Sequence, residues 1–202
     1  MTSLRRLWLV RHGETEGQSS IRFHGSNDVP LSAQGRAQIA AVAPLLAGLQ
    51  PAMIVHSPLS RTVESARILA SACGYAPDLL QVEPRLREMS FGVCEGLTAE
   101  EIAALHPEFW ARRQRGEHEG FPGGERRLDF AARVQAVAHE LAAGPDEDVI
   151  VVSHHGTTRQ ILRALLGVPQ QGGDQFAVRL GSLTVARREA RWAIDVFDWV
   201  PE

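Results

Sequence analysis

The stretch Leu7-Trp8-Leu9-Val10-Arg11-His12-Gly13 holds the strongest structural signal in this chain of 202 residues. Its four apolar residues predict a short buried strand, which ends where charge returns at Arg11. A histidine at a strand end can serve as a nucleophile, and the neighbouring guanidinium favours the neutral ring and attracts an anionic substrate. This arrangement indicates phosphoryl transfer through His12.

Three short apolar runs are each followed by a segment with helical periodicity. The runs are Leu7–Val10, Met53–His56 and Val149–Val152, and the helical segments are Ser32–Ala47, Ser60–Cys73 and Thr157–Leu166. This alternation predicts an α/β fold, a three-layer α/β/α sandwich with a mainly parallel central sheet. Open parallel sheets bind ligands beyond the carboxyl ends of their strands. Arg11 and His12 stand at such an end.

Cap and stop signals mark where the predicted helices begin and end. Ser32 is a predicted N-cap, and Thr98 with Glu101 three residues later is typical of a capping box. Gly74 and Gly167 are predicted helix stops.

The second half of the chain predicts an insertion and a C-terminal sheet edge. We expect a single domain over residues 1–202 with a helical insertion at about 95–124. A glycine-rich loop is predicted over Arg115–Gly124, and a long helix over Glu125–Ala143. The last predicted strands, in part antiparallel, are Gln175–Leu180, Ser182–Arg187 and Trp192–Phe197.

Composition and charge exclude several classes of protein. The chain is 44% hydrophobic and 22% charged, which is typical of a globular domain and not of a disordered or fibrous protein. The net charge is −3 and the arginines are dispersed, so we expect neither nucleic acid nor an anionic membrane as a partner. Cys73 and Cys94 form no C-x-x-C pair, so we expect neither a zinc site nor a disulfide framework.

The sequence predicts neither secretion nor membrane insertion. The apolar run after Arg5 and Arg6 is shorter than the core of a signal peptide. The longest apolar stretch, Ile39–Leu49, contains Pro44 and Gly48 and falls below the roughly 18 residues that a membrane span requires. We therefore expect a cytoplasmic protein.

Two further residues follow predicted strands in the same way as Arg11 and His12. Arg61 lies in the first turn of the helix after the second strand, where it can bind an anion together with free backbone N–H groups. His154 follows the third strand, at the turn into the next helix. Because the carboxyl ends of parallel strands meet at one edge of a sheet, we expect these four side chains to lie together.

The motif Arg-His-Gly-Glu-Thr stands at positions 11–15. Further motifs are GSNDVPLS at 25–32, SPLSR at 57–61, LREMSFG at 86–92, PGGE at 122–125 and VSH at 152–154. Together they resemble the motifs of the histidine phosphatase superfamily, also called phosphoglycerate mutase-like, and cover most of the chain. The compact length and the PGGE segment resemble the phosphatase branch.

This resemblance implies a two-step mechanism. His12 attacks phosphorus to give a phosphohistidine, and water then hydrolyses the intermediate. Arg11, Arg61 and His154 surround the phosphoryl oxygens and stabilise the transition state.

The resemblance also assigns a carboxyl group. Glu88 protonates the departing oxygen and later activates water, so it must hold a proton near neutral pH through burial or a neighbouring carboxylate. Glu95 and Glu14 are its competitors.

The resemblance further implies that a segment which closes over the substrate, together with the pocket wall, selects the substrate. The substrate-binding candidates are Gln18, Arg22, His24, Gly25 and His155. Asparagine is common in the family at Gln18, glycine at His155 and an aromatic residue at Cys94, and such changes can reshape the pocket. Four aromatic residues belong either to the core or to the contact with a bulky substrate: Phe23, Phe109, Trp110 and Phe121.

The residues alone leave three alternative functions open. A metal hydrolase would use some of the eight histidines, but adjacent strand residues such as His154 and His155 point to opposite faces, and no metal-binding motif accompanies them. A cofactor-dependent phosphoglycerate mutase would return the phosphoryl group to a bound product, and a non-catalytic regulatory module would only bind phosphate. We expect a phosphatase for a small phosphorylated metabolite, with no metal or organic cofactor; a homodimer is a further expectation.

Overall fold

A computed structural model of the protein describes residues 5–170 and 176–201. The strands are β1 (Arg6–Arg11), β2 (Met53–His56), β3 (Gln81–Val82), β4 (Asp148–Ser153), β5 (Leu183–Arg188) and β6 (Trp192–Trp199). The helices are α1 (Ala33–Val42), α2 (Ser60–Cys73), α3 (Ala99–Leu105), α4 (Pro107–Gln114), α5 (Arg127–Ala143) and α6 (His155–Leu166). Short 3-10 turns join several of them, including Ala43–Leu46 after α1 and Pro84–Leu86 before the predicted carboxylate.

The strands form one sheet in the order β3-β2-β4-β1-β5-β6. The first four of these are parallel neighbours, and β5 and β6 add an antiparallel edge. This confirms the predicted α/β sandwich with a mainly parallel sheet. The carboxyl ends of β1, β2 and β4 therefore meet at one edge.

Helices cover both faces of the sheet, and β1 shows why its sequence is continuously apolar. Leu7 and Leu9 pack into a core with α5 and α6, whereas Val10 packs into a second core with α1 and α2. Alternate residues of a strand point to opposite faces, so a strand buried on both sides needs an apolar residue at each position.

The predicted cap and stop residues are confirmed. The Ser32 hydroxyl accepts a hydrogen bond from the Gly35 N–H, and Thr98 with Glu101 forms the reciprocal capping box. Gly74 and Gly167 end α2 and α6 in the left-handed conformation.

Several predicted bounds were wrong. The helix predicted over Ser32–Ala47 ends at Val42 and continues as a 3-10 turn that contains Pro44, whose nitrogen cannot donate a helical hydrogen bond. The helix predicted from Glu125 begins at Arg127, and α6 begins two residues earlier than predicted, at His155. The segment predicted as an insertion, residues 95–124, holds α3 and α4.

The strand predicted over Gln175–Leu180 was also wrong. Gln175 lies outside the described residues, and residues 176–180 form no strand. The Val178 carbonyl accepts a hydrogen bond from the Arg11 side chain, and the Arg179 N–H donates to the Asp198 carboxylate. These side chains occupy the backbone groups that a neighbouring strand would use.

Across residues 5–170 and 176–201, no helix is both long enough and apolar enough to cross a membrane.

Candidate active site

The sheet register brings three chain segments side by side. Arg11 at the end of β1 pairs with Ser153 at the end of β4, and His56 at the end of β2 pairs with Val152. The His12 N–H donates to the Ser153 carbonyl over 3.1 Å. His12, Ser57 and His154, the residues that follow these strands, therefore share one edge.

His12 is buried and its ring is held in one tautomer. Its Nδ1 lies 2.7 Å from the Gly13 carbonyl oxygen, which only accepts, so the proton is on Nδ1 and the lone pair is on Nε2. Burial, followed by the positive charges of Arg61 and Arg11, lowers the pKa of His12 well below its usual 6.5. The ring is therefore neutral near pH 7, and Nε2 is available as a nucleophile.

Arg61, in the first turn of α2, is almost fully buried, and within the described residues its hydrogen bonds go to neutral acceptors. Its guanidinium donates to the carbonyl oxygens of Asn27 and Gly25, each over 2.7 Å, and to Nδ1 of His154 over 3.3 Å. A guanidinium has more N–H donors than these three bonds use. Burial lowers the pKa of Arg61 to about 10, so the group stays charged near pH 7.

The loop around Arg61 is fixed by a helix cap. The Asp28 carboxylate accepts hydrogen bonds of 2.7 Å from both the N–H and the hydroxyl of Ser60, at the start of α2. This contact stabilises a helix N-terminus and holds the Gly25 and Asn27 carbonyls against Arg61.

His154 is fully buried and also neutral. Arg61 donates to its Nδ1, so the proton is on Nε2, which donates to the Ser57 hydroxyl over 2.8 Å. Burial and then the charge of Arg61 lower the pKa of His154 well below 6.5. The rings of His154 and His12 meet edge to face, with their centroids 5.1 Å apart.

Arg11 is the second cation whose charge acts on His12. One of its terminal nitrogens donates to the Val178 carbonyl over 2.6 Å, and its buried Nε has no hydrogen-bond partner among the described residues. Burial lowers the pKa of Arg11 to about 10, and the carboxylates of Glu88 and Glu14 oppose this effect. A buried N–H without a partner is costly, which favours binding of an acceptor there.

Glu88 is the carboxylate that faces these cations. It is buried, and among acidic residues its charge contributes most to raising the pKa of both Arg11 and Arg61 against burial. One carboxylate oxygen accepts from the Met89 N–H, and the other accepts from the Gly156 N–H in the first turn of α6, over 2.8 Å. Each oxygen has further acceptor capacity.

The two competing carboxylates have structural partners. One Glu95 oxygen accepts hydrogen bonds from the N–H and hydroxyl of Ser26, the Ser90 hydroxyl and the Phe91 N–H. Glu14 accepts from the N–H groups of Thr15 and Ser20. These bonds connect loop segments, whereas Glu88 faces Arg11 and Arg61.

The substrate-binding candidates divide into two groups. Gly25 and His155 border the cations, since the Gly25 carbonyl binds Arg61 and His155 donates from Nδ1 to the same Val178 carbonyl as Arg11. The other three candidates are Gln18, Arg22 and His24. In the described residues, no hydrogen bond joins them to the side chains of the predicted catalytic set, which are Arg11, His12, Arg61, Glu88 and His154. The Arg22 side chain donates to the Gly96 carbonyl and the Glu101 carboxylate, and His24 donates to the Gly17 carbonyl. Gln18 is exposed, and its backbone has a positive φ of 60°.

The aromatic candidates form one cluster. The Phe121 ring contacts Phe23 and Phe109, and the Phe23 ring contacts Trp110. These rings belong to or pack against the core on the α5 face, and Cys94 is fully buried in the same core. These contacts favour a place in the core for the four aromatic residues over contact with a bulky substrate.

Ser57 and Arg133 were not among the predicted site residues, although Ser57 contacts His154 and Arg133 contacts the Glu88 carbonyl. Ser57 directly follows β2, so its position at the shared strand edge was the available signal. Arg133 is one of many helical arginines, and only its tertiary contacts distinguish it.

The sequence profile described as histidine phosphatase superfamily (branch 1) matches residues 7–199. The chain belongs to this superfamily. It is 33% identical to a glucosyl-3-phosphoglycerate phosphatase from Mycolicibacterium vanbaalenii, over 96% of this chain and 95% of that protein. It is 34% identical to a probable phosphoglycerate mutase GpmB from Enterobacter sp. (strain 638), over 98% of this chain and 91% of that protein.

A solved structure supports the family assignment. The chain matches a putative alpha-ribazole-5'-P phosphatase from Escherichia coli with a TM-score of 0.84 and 27% identity, over 96% of this chain and 95% of the other. These findings confirm the resemblance drawn from the motifs. As for metals, the described part of this histidine phosphatase chain contains no group of three or more His, Cys, Asp or Glu side chains placed to hold one.

Proposed function

We propose that this protein is a phosphomonoesterase that works through a phosphohistidine at His12. One observation carries the proposal: a buried neutral histidine with its lone pair on Nε2 lies within the electrostatic reach of two charged arginines, whose hydrogen bonds in the described residues go to neutral acceptors. A dianionic phosphate would supply charged acceptors for the arginine N–H groups that no carboxylate binds directly. Membership of the superfamily supports the same chemistry.

In the first step, Nε2 of His12 attacks phosphorus and the bond from phosphorus to the ester oxygen breaks. The protonated carboxyl of Glu88 gives its proton to the departing oxygen, so the product leaves as a neutral alcohol. The remaining N–H groups of Arg11 and Arg61 bind the non-bridging oxygens, whose charge they stabilise in the transition state.

In the second step, water attacks the phosphohistidine. The Glu88 carboxylate takes a proton from the water, and the bond from phosphorus to Nε2 breaks. Inorganic phosphate leaves, and Glu88 is protonated for the next cycle. His154 offers the Nε2–H that now binds Ser57 as an additional donor to the phosphoryl group.

Phosphate release from a panel of phosphomonoesters tests this function. The panel includes 3-phosphoglycerate, glucosyl-3-phosphoglycerate, α-ribazole phosphate and p-nitrophenyl phosphate, and compares the wild type with His12→Ala in excess EDTA. We expect release that requires His12 and that EDTA does not reduce. Activity that EDTA abolishes and added metal restores would contradict the mechanism.

A mutase is the second candidate, because one relative is named a probable phosphoglycerate mutase. A mutase would interconvert 3-phosphoglycerate and 2-phosphoglycerate with little net release of phosphate. A non-catalytic module would bind phosphate equally well before and after His12→Ala. The same panel, with both phosphoglycerates quantified, separates these outcomes.

The substrate class is a small phosphorylated metabolite, supported by relatives named as phosphatases of such compounds. The cytoplasmic location and the homodimer stay predictions. Light scattering on the purified chain tests the second of these.

A further inference from the structure

Glu88 lies in irregular backbone. It follows the 3-10 turn Pro84–Leu86 and precedes another 3-10 turn, Gly92–Cys94. The carbonyl groups of such a segment have no regular secondary-structure partners, so something else must bind them if they are buried. The position of the Glu88 carboxylate therefore depends on side chains from other elements.

Arg133 on α5 supplies three of those contacts, and the Thr157 hydroxyl on α6 donates to the Leu86 and Arg87 carbonyls. The Arg133 guanidinium donates to the carbonyl oxygens of Arg85 over 2.6 Å, Arg87 over 2.8 Å and Glu88 over 3.2 Å. The group also lies over the Phe130 ring, 4.8 Å from its centroid. A single side chain thus binds the turn before Glu88 and the backbone of Glu88 itself.

Glu125 in turn fixes Arg133. The two side chains form a bidentate ion pair with distances of 2.7 and 2.8 Å, and each is only about one-fifth exposed. Paired planar groups of this kind restrict both distance and orientation. Glu125 consequently determines which way the remaining Arg133 donors point.

The glycine motif at positions 122–124 places Glu125 against the Glu88 segment. The Glu125 N–H donates to the Ser90 carbonyl over 3.1 Å. A Cβ atom on Gly124 would lie 2.5 Å from that same carbonyl oxygen, so a larger residue would push the loop away. The PGGE motif is therefore explained by contact with the chain that carries Glu88.

We propose that Arg133 and Glu125 are positioning residues for the Glu88 acid, a role that rests on the proposed phosphatase function. Arg133 holds the carbonyls at 85, 87 and 88, and Glu125 orients Arg133, so that the carboxyl reaches the departing oxygen. Proton transfer depends strongly on this geometry. Neither residue touches the reacting atoms.

Leaving groups provide the test. A poor alkoxide leaving group needs the acid, whereas p-nitrophenolate departs with little help. We expect Arg133→Met to lower kcat/KM for β-glycerol phosphate by about 10-fold or more, and for p-nitrophenyl phosphate by less than about 3-fold. Arg133→Lys, which keeps the charge but not the fork, should fall between Arg133→Met and the wild type.

Arg188→Met is the matched control. Arg188 is similarly exposed, donates to the Ala142 carbonyl over 2.6 Å and pairs with Asp146, but it lies at the opposite end of the sheet, where β5 meets the start of β1. We expect Arg188→Met to change kcat/KM by the same factor for the two substrates. The melting temperature of each variant is measured, and assays are run well below it.

Glu125→Gln provides a second variant if Arg133→Met does not fold. It should also lose more kcat/KM on β-glycerol phosphate than on p-nitrophenyl phosphate, and this difference between the substrates, the split, should be smaller than for Arg133→Met. Glu88→Gln in the same assays tests the acid role of Glu88 separately from the positioning role of Arg133 and Glu125. If Glu88→Gln shows no split, the proposed acid is wrong. If Glu88→Gln shows the split while the folded Arg133 and Glu125 variants lose activity equally on both substrates, the positioning role is overturned.

Discussion

At the residue scale, the two histidines of the site differ in which ring nitrogen carries the proton. The Gly13 carbonyl holds the proton of His12 on Nδ1 and leaves a lone pair on Nε2, while Arg61 holds the proton of His154 on Nε2. In the proposed mechanism the first ring is therefore the nucleophile and the second a hydrogen-bond donor. Two identical side chains take opposite roles because their Nδ1 partners are an acceptor and a donor.

The acid role of Glu88 predicts a dependence on the leaving group. We expect Glu88→Gln to lower kcat/KM for an alkyl phosphate by about 100-fold or more, since general acids contribute that order of acceleration. The loss on p-nitrophenyl phosphate should be under about 10-fold. Steady-state kinetics with both esters checks this, and equal losses would count against Glu88.

Gly156 is predicted to matter for activity more than for stability. A Cβ added there would lie 2.5 Å from a Glu88 carboxylate oxygen, the movable end of a side chain, so Gly156→Ala should displace Glu88. Alanine favours a helix over glycine by about 1 kcal/mol, which offsets part of the crowding. We expect hydrolysis of alkyl phosphates to fall while the melting temperature stays close to that of the wild type. A large fall in melting temperature with unchanged kinetics would contradict this.

At the scale of elements, the strand ends and helix caps were predictable because their signals are local. The apolar runs that became β1, β2 and β4, and the capping box at Thr98, each lie within a few residues of sequence. The two-residue strand β3 was missed because both of its residues are exposed, so it lacks the apolar pattern of a strand. Residues 176–180 were assigned wrongly because the partner of Val178 is the distant Arg11.

Arg11, His12, Arg61 and His154 come together as the order of strand ends suggested, whereas Glu88 was placed with them only by the family resemblance. The contacts that orient them could not be predicted, because they join residues far apart in sequence. Ser57 binds His154 across 97 positions, and Arg133 binds the Glu88 carbonyl across 45. No periodicity or local motif encodes such pairs.

At the scale of the whole molecule, burial of neutral histidines makes stability depend on pH. Burial lowers the pKa of five histidines below 6.5 in the folded protein: His12, His24, His118, His154 and His155. The unfolded chain therefore binds more protons once the pH falls below about 6.5. Their contribution to stability is complete above that pH and is lost as the pH falls toward the folded pKa values.

We expect the free energy of unfolding to decrease between pH 7.5 and pH 5.5. Each fully buried histidine contributes up to about 1.4 kcal/mol per pH unit within its window. Urea denaturation at both pH values checks this, and His154→Gln should weaken the dependence. A stability that does not change between the two pH values would show that these rings accept protons in the folded state.

The central claim is that the phosphoryl group is transferred to His12, and trapping tests it most directly. The protein is mixed with a rapidly hydrolysed phosphomonoester, quenched in alkali, where phosphohistidine survives, and digested for mass spectrometry. We predict phosphate on the peptide that contains His12, absent from His12→Ala and lost on acid treatment. Rapid phosphate release by the wild type that persists in His12→Ala, with no phosphate on that peptide, would contradict the account.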